Sequence, residues 1–230
     1  MPMSPLPGDG AAATDPVKLC DASGMAMVHR YFRAGFAEGP ALVRSVSAGD
    51  ADRVALVATE LSTLSSGLHA HHEGEELRLW DALEERAPGC ALHVGRMRTQ
   101  HQRIAESLEE LDAVLPAWRA SGSTQDADAV LEALDGVNAA LTAHFGDEEQ
   151  NIVPVMETVI TPKEIQWFSD HGRKATPKGQ SWNVLGAIMA AQPDDGKAFL
   201  GEMPAPFRLV WRLFGRSRYD AHRAALTGRG

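Results

Sequence analysis

Between about residue 15 and residue 160, apolar side chains return every three or four positions in four long runs, and each run carries histidine on or beside its apolar stripe. The first run holds Met25, Val28, His29, Phe32 and Phe36. The second holds Leu61, Leu64, Leu68, Leu79 and Leu83, with His71 and His72 among them. The third holds Val94, Met97, His101, Ile104, Leu108, Leu111 and Leu115, and the fourth Leu131, Leu134, Val137, Leu141, His144, Glu148, Ile152 and Val155. That spacing is the repeat of an α-helix with one buried face. Asp15-Pro16 and Asp50 are start signals for the first and second helices, and Gly39-Pro40 predicts a kink or break in the first. Pro88-Gly89 should end the second helix, and the Ser-Gly-Ser-Thr stretch at 121–124 the third. No stretch alternates with period two. The expected fold class is all-α: an up-and-down four-helix bundle over 15–160. A flexible lead rich in Pro, Gly and Ala (1–14) precedes it. A shorter helical C-terminal extension (161–230), punctuated by Pro177, Pro193, Pro204 and Pro206, follows.

Charge divides the chain at the same place. Residues 1–160 carry 11 Lys and Arg against 25 Asp and Glu, whereas residues 161–230 carry 11 against 6. The net charge of −9 disfavours general nucleic-acid binding, because a phosphate backbone would repel it. No apolar run approaches the roughly 18 residues of a membrane span. Two cysteines, Cys20 and Cys90, are too few for a disulfide framework or a thiolate cage, which fits a cytoplasmic location.

The histidines carry the functional signal. A buried imidazole must find a hydrogen-bond partner or lose free energy, so a bundle core has little reason to collect one from every helix. A shared metal centre satisfies all of them together. Two helices add a carboxylate one turn on: His71 with Glu75, and His144 with Glu148. At about 100° per residue, His71 and Glu75 straddle the inward direction set by Leu68 and Leu79. His72 is the reserve ligand, and His69 points outward. The same arithmetic favours Glu148 over Glu149. Imidazole with carboxylate suits iron, manganese or zinc, and two carboxylates from facing helices can bridge a pair of ions, so a binuclear non-haem iron centre is expected. Glu76, Gln100, Thr142 and Asp147 are candidates to orient the ligands from behind.

On these residues the sequence resembles the hemerythrin-like family, or HHE cation-binding domains. The matching elements are His29 in MVHRYFR, HHEGEELRLW at 71–80, His101 in TQHQRI and HFGDEEQNIVP at 144–154. The resemblance spans about residues 20–160. It implies a bundle holding two irons, bridged by carboxylates and an oxo or hydroxo group, with ligands at His29, His71, Glu75, His101, His144 and Glu148. One position departs from the oxygen-carrying pattern: Ala105 stands where those proteins have a second third-helix histidine, leaving His72 or a water to fill the gap. A depleted ligand set favours reaction with oxygen, hydrogen peroxide or nitric oxide over simple oxygen carriage. A catalase-like or nitric-oxide-related activity is one expectation. The other is a sensing module whose metal state is relayed to the extension.

Within that extension Phe207, Val210, Trp211 and Phe214 form a further apolar stripe beside Arg208, Arg212, Arg216 and Arg218. The charge balance predicts that it packs on the acidic bundle or mediates a homodimer, with a membrane-surface helix as the other reading. His171 and His222 are expected at the surface.

Overall fold

A computed structural model describes residues 17–47 and 49–228. The proposed lead and the Asp15-Pro16 start signal lie outside the described residues. Residues 17–22 are not helical, and helix α1 spans Ser23–Arg44. It is followed by α2 (Ala51–Gly74), which opens on Asp50 accepting the Arg53 N–H and passes through a π-helical turn (Glu75–Leu79) into α3 (Trp80–Arg86). Next come α4 (Ala91–Ser121), closed by Gly122 at φ +59°, and α5 (Thr124–Asn151), capped by Ser123. The rods α1, α2–α3, α4 and α5 form a ring in which each packs on its neighbours in chain order and α1 meets α5. This is an all-α bundle of hemerythrin type, and no strand occurs among the described residues.

Gly39-Pro40 does not break α1. Proline lacks the N–H that would bond the carbonyl four residues back, and here Asn138 Nδ2 of α5 donates to that carbonyl, Phe36 O, at 3.0 Å. Gly39 serves close packing instead: a Cβ there would lie 3.2 Å from Leu61 and Leu134 side chains. The fourth rod is shorter than its apolar stripe predicts. It stops at Asn151, and α6 (Val153–Val159) restarts around Pro154.

The extension folds back on the bundle. Helix α7 (Pro162–Ala175), opened by a Thr161/Glu164 capping box, lies along α2; α8 (Ser181–Ala190) lies on α1. After α9 (Lys197–Glu202), α10 (Ala205–Val210), a second π-helical turn (Trp211–Gly215) and α11 (Arg216–Thr227) make one rod against α8 and α2. Arg223 donates to Glu38 from both terminal guanidinium nitrogens, and His222 meets Glu60 at 2.9 Å. His222 is therefore not a surface residue. His171 is also partly covered, stacked on Trp167 and 3.2 Å from Glu73. The stripe at 207–214 divides. Trp211 is buried and Phe207 half-buried, whereas Val210 and Phe214 are exposed, because the wider turn brings Gly215 rather than Phe214 into line with Trp211.

Two apolar clusters fill the bundle. The larger runs from Phe32 and Phe36 through Leu61, Leu68, Ile104 and Leu111 to Leu141 and Phe145. The smaller joins Leu79, Trp80, Leu83, Val94, Met97, Ile152 and Met156. Between them every rod contributes polar side chains to one buried layer.

Candidate metal centre

That layer sits at one height because each stripe is interrupted at the matching point: His29 precedes Phe32, His71 to Glu75 separate Leu68 from Leu79, His101 separates Met97 from Ile104, and His144 and Glu148 precede Ile152. His29, His144 and Glu148 have no solvent exposure, and His72, Glu75 and His101 are buried. Their donor atoms fall into two groups. One is His72, Glu75, His101 and His144; the other is His29, His71, Glu75 and Glu148. Within each group the donors all lie within 4.8 Å of one another, and Glu75 belongs to both.

All six positions singled out in the sequence are thus brought together, and His72 joins them as a full member rather than a reserve. The helical arithmetic contained this signal. With Leu68 and Leu79 near +20° and +40° from Glu75, His72 near +60° is closer to the inward direction than His71 near −40° (about 100° per residue). Both rings reach the layer, one on each side of the line joining the cores. His69 lies outside it, partly exposed and 3.5 Å from Asp112.

His29 Nε2 and His71 Nε2 lie 3.1 Å apart and pair with each other, whereas the other donors meet at distances that suit a shared ion. His29 Nε2 lies 3.3 Å from Glu148, His71 Nε2 3.3 Å from Glu75, His101 Nε2 3.4 Å from Glu75 and His144 Nε2 3.4 Å from Glu148. Atoms each about 2.1 Å from one ion and about 90–110° apart are separated by about 3.0–3.4 Å. Yet both oxygens of Glu75, both of Glu148, and Nε2 of His72, His101 and His144 are buried without a hydrogen-bond partner. Buried polar atoms are ordinarily paired. Seven orphans turned to one place fit a cation that would satisfy them together.

The far sides of the rings are held. Glu149 Oε1 accepts from His29 Nδ1 at 3.0 Å and from Arg33 at 3.2 Å. Glu76 Oε1 accepts from His101 Nδ1 at 2.8 Å and from the Trp80 indole at 2.9 Å, while Arg98 holds its other oxygen. Gln100 Oε1 accepts from His144 Nδ1 at 3.2 Å, its amide fixed by donation to Asp147. A carboxylate can only accept, so the proton sits on Nδ1 and the Nε2 lone pair faces the layer. Of the four orienting candidates, Glu76 and Gln100 touch a ring directly and Asp147 acts through Gln100. Thr142 bonds only Asn138 O. Glu149 was not anticipated; Arg33, one turn after His29, was the available clue.

The match to a family model decides the lineage. Residues 22–156 match the hemerythrin HHE cation binding domain, more than half of the chain. The chain belongs to the hemerythrin HHE family. Comparison with curated proteins and with solved structures gives no match.

The electrostatics of this hemerythrin-type layer favour cations. Burial lowers His71 and His72 well below the ordinary imidazole range, and it brings His144 down to about 4, so these rings are neutral donors at pH 7. Burial also lowers His101. His29 moves the other way: burial pulls it down, but Glu148 and Glu149 outweigh that. Burial and the neighbouring Glu148 raise Glu75 well above the carboxylate range, whereas the surrounding imidazoles, His29 foremost, overcome burial to hold Glu148 below it.

The local backbone supports this arrangement. The π-helical turn starts at Glu75, and such wide turns recur at functional sites. It sends adjacent carboxylates to one layer, Glu75 among the donors and Glu76 behind His101. Gly74, just before it, admits α7: a Cβ there would lie 3.3 Å from His171 and 3.6 Å from Phe168. Gly146 has open space beside it, so close helix packing does not account for it.

Proposed function

We propose that this chain is a non-haem di-iron protein that binds and reacts with oxygen, hydrogen peroxide or nitric oxide, with catalase-like or nitric-oxide-related detoxification as its activity. One ion would be held by His72, His101 and His144, the other by His29, His71 and Glu148, with Glu75 shared. The observation that carries the reading is the convergence of seven buried, unpartnered donor atoms from three rods on one layer. On this reading His72 supplies the imidazole that Ala105 does not. A bound iron pair would supply two electrons and a Lewis-acid position for a small oxidant.

The protein's own part is to orient and to exclude. Glu76, Gln100 and Glu149 fix three imidazoles from behind, so their lone pairs need no reorganisation. Phe145 stacks on His29 at 4.1 Å, Trp80 lies 5.4 Å from His101 and Phe32 5.7 Å from His71. These aromatic walls keep bulk water off the donors and suit a ligand of a few atoms rather than an organic substrate.

The test is metal analysis and visible absorption of anaerobically iron-loaded protein, followed by addition of peroxide. Two irons per chain, charge-transfer absorption and oxygen evolution are the expected results. No oxygen and an unchanged spectrum would remove the enzymatic reading. A sensing role has one observation in its favour: α7 rests on Gly74, the residue preceding the shared Glu75. If sensing is the function, protease cleavage within 161–230 changes between iron-loaded and iron-free protein.

A further inference from the structure

The rod formed by α10, its π-helical turn and α11 is apolar on two sides. Its inner side is fastened to α8: Trp182 lies 6.1 Å from both Phe207 and Trp211, and Gly215 sits against the same indole. Its outer side leaves Leu209, Val210, Leu213 and Phe214 exposed by 56, 41, 60 and 62%. These occupy two adjacent positions on each of two successive turns and so make one continuous ridge. A helix apolar on opposite sides has a second surface to cover.

The charges flanking the ridge are all of one sign. From residue 203 to 219 there are four arginines, Arg208, Arg212, Arg216 and Arg218, and no acidic residue. All four are exposed. Arg208 donates to Gly201 O, and Arg216 lies 3.6 Å from Asp220; among the described residues Arg212 and Arg218 make no ion pair. We propose that this ridge docks on an anionic lipid surface, with Leu209, Leu213 and Phe214 entering the acyl boundary and the arginines meeting lipid phosphates.

A second copy of the chain fits the same face less well. A two-fold contact of ridge on ridge would set the arginines of one copy against those of the other. Attachment would be peripheral, since no described helix is long and apolar enough to cross a membrane.

The experiment is co-sedimentation of the full chain with vesicles of phosphatidylcholine alone, or with a third of the lipid replaced by phosphatidylglycerol. Retention on the anionic vesicles only is expected, weakening as salt rises. Leu213→Ser with Phe214→Ser should lower it at least tenfold, and Arg212→Gln and Arg218→Gln about fivefold each. These side chains are exposed, so an unchanged melting temperature will show that the variants fold. Equal retention on both vesicle types, or none on either, overturns the proposal. So does a concentration-dependent doubling of mass, abolished by the serine variants, in protein that ignores vesicles.

Discussion

At the residue scale the decisive positions are His72 and Glu75. Because Glu75 belongs to both donor groups and His72 to one, their removal should have different consequences. After anaerobic loading, Glu75→Ala is expected to lose both ions and His72→Ala about half the metal, whereas His69→Ala should match the parent. Elemental analysis of desalted protein checks all three. Glu76→Gln, which keeps shape but gives up the charged acceptor behind His101, should weaken metal binding by about 10–100-fold in a competition titration with a chelator. The metal-free protein should also respond to acid. His71, His72, His101 and His144 hold their protons less tightly than the ordinary value of 6.5. Their contribution to stability is therefore complete above that pH and is lost as pH falls from about 6.5 towards about 4, where His144 takes up its proton. His29 shifts oppositely and offsets part of this. Urea unfolding at stepped pH gives the profile. The donor residues were legible because an apolar helix face gains nothing from an imidazole unless a shared ligand satisfies it, and here all four faces carry one. The standing of His72 lay within the helical arithmetic, whereas the part of Glu149 had only Arg33 as a clue, because it depends on how α1 and α5 face each other.

At the element scale, apolar periodicity located the four rods, and Asp50 and Gly122 marked two of their ends. The failures have specific causes. Gly39-Pro40 reads as a break in isolation, but an asparagine about a hundred residues away supplies the missing donor. Asn138→Ala should leave that carbonyl unpaired at a cost of about 1–3 kcal/mol, read as a lower urea midpoint with unchanged slope. Pairing Asn138→Ala with Pro40→Ala should recover part of the loss, because the restored backbone N–H can reach Phe36. Periodicity also assumes a constant rotation per residue, and both π-helical turns violate it. Downstream of Glu75 the error is small enough to keep Leu79 and Leu83 inside; downstream of Trp211 it turns Phe214 outward.

At the scale of the whole molecule, the extension is fastened to an acidic bundle by apolar contacts from Ile165, Phe168, Val184, Ile188 and Leu226 and by a set of polar pairs spread along its length. Arg223 with Glu38 and His222 with Glu60 are the main ion pairs joining α11 to it. Partly exposed pairs of this kind contribute roughly 0–1 kcal/mol each. Arg223→Gln should therefore leave global unfolding nearly unchanged while speeding protease cleavage after residue 176, and raised salt should do the same to the parent protein. The charge asymmetry of the sequence foretold the attachment but not its geometry, since charge carries no register.

The buried layer has a consequence beyond chemistry. A protein whose middle contains seven unpaired polar atoms is less stable when its cations are missing, and any ligand that prefers the native state raises stability in proportion to the logarithm of its free concentration. The lifetime of newly made chains should then follow the supply of metal in their surroundings. Scarcity would reduce how much of the protein persists, as well as how much of it is active.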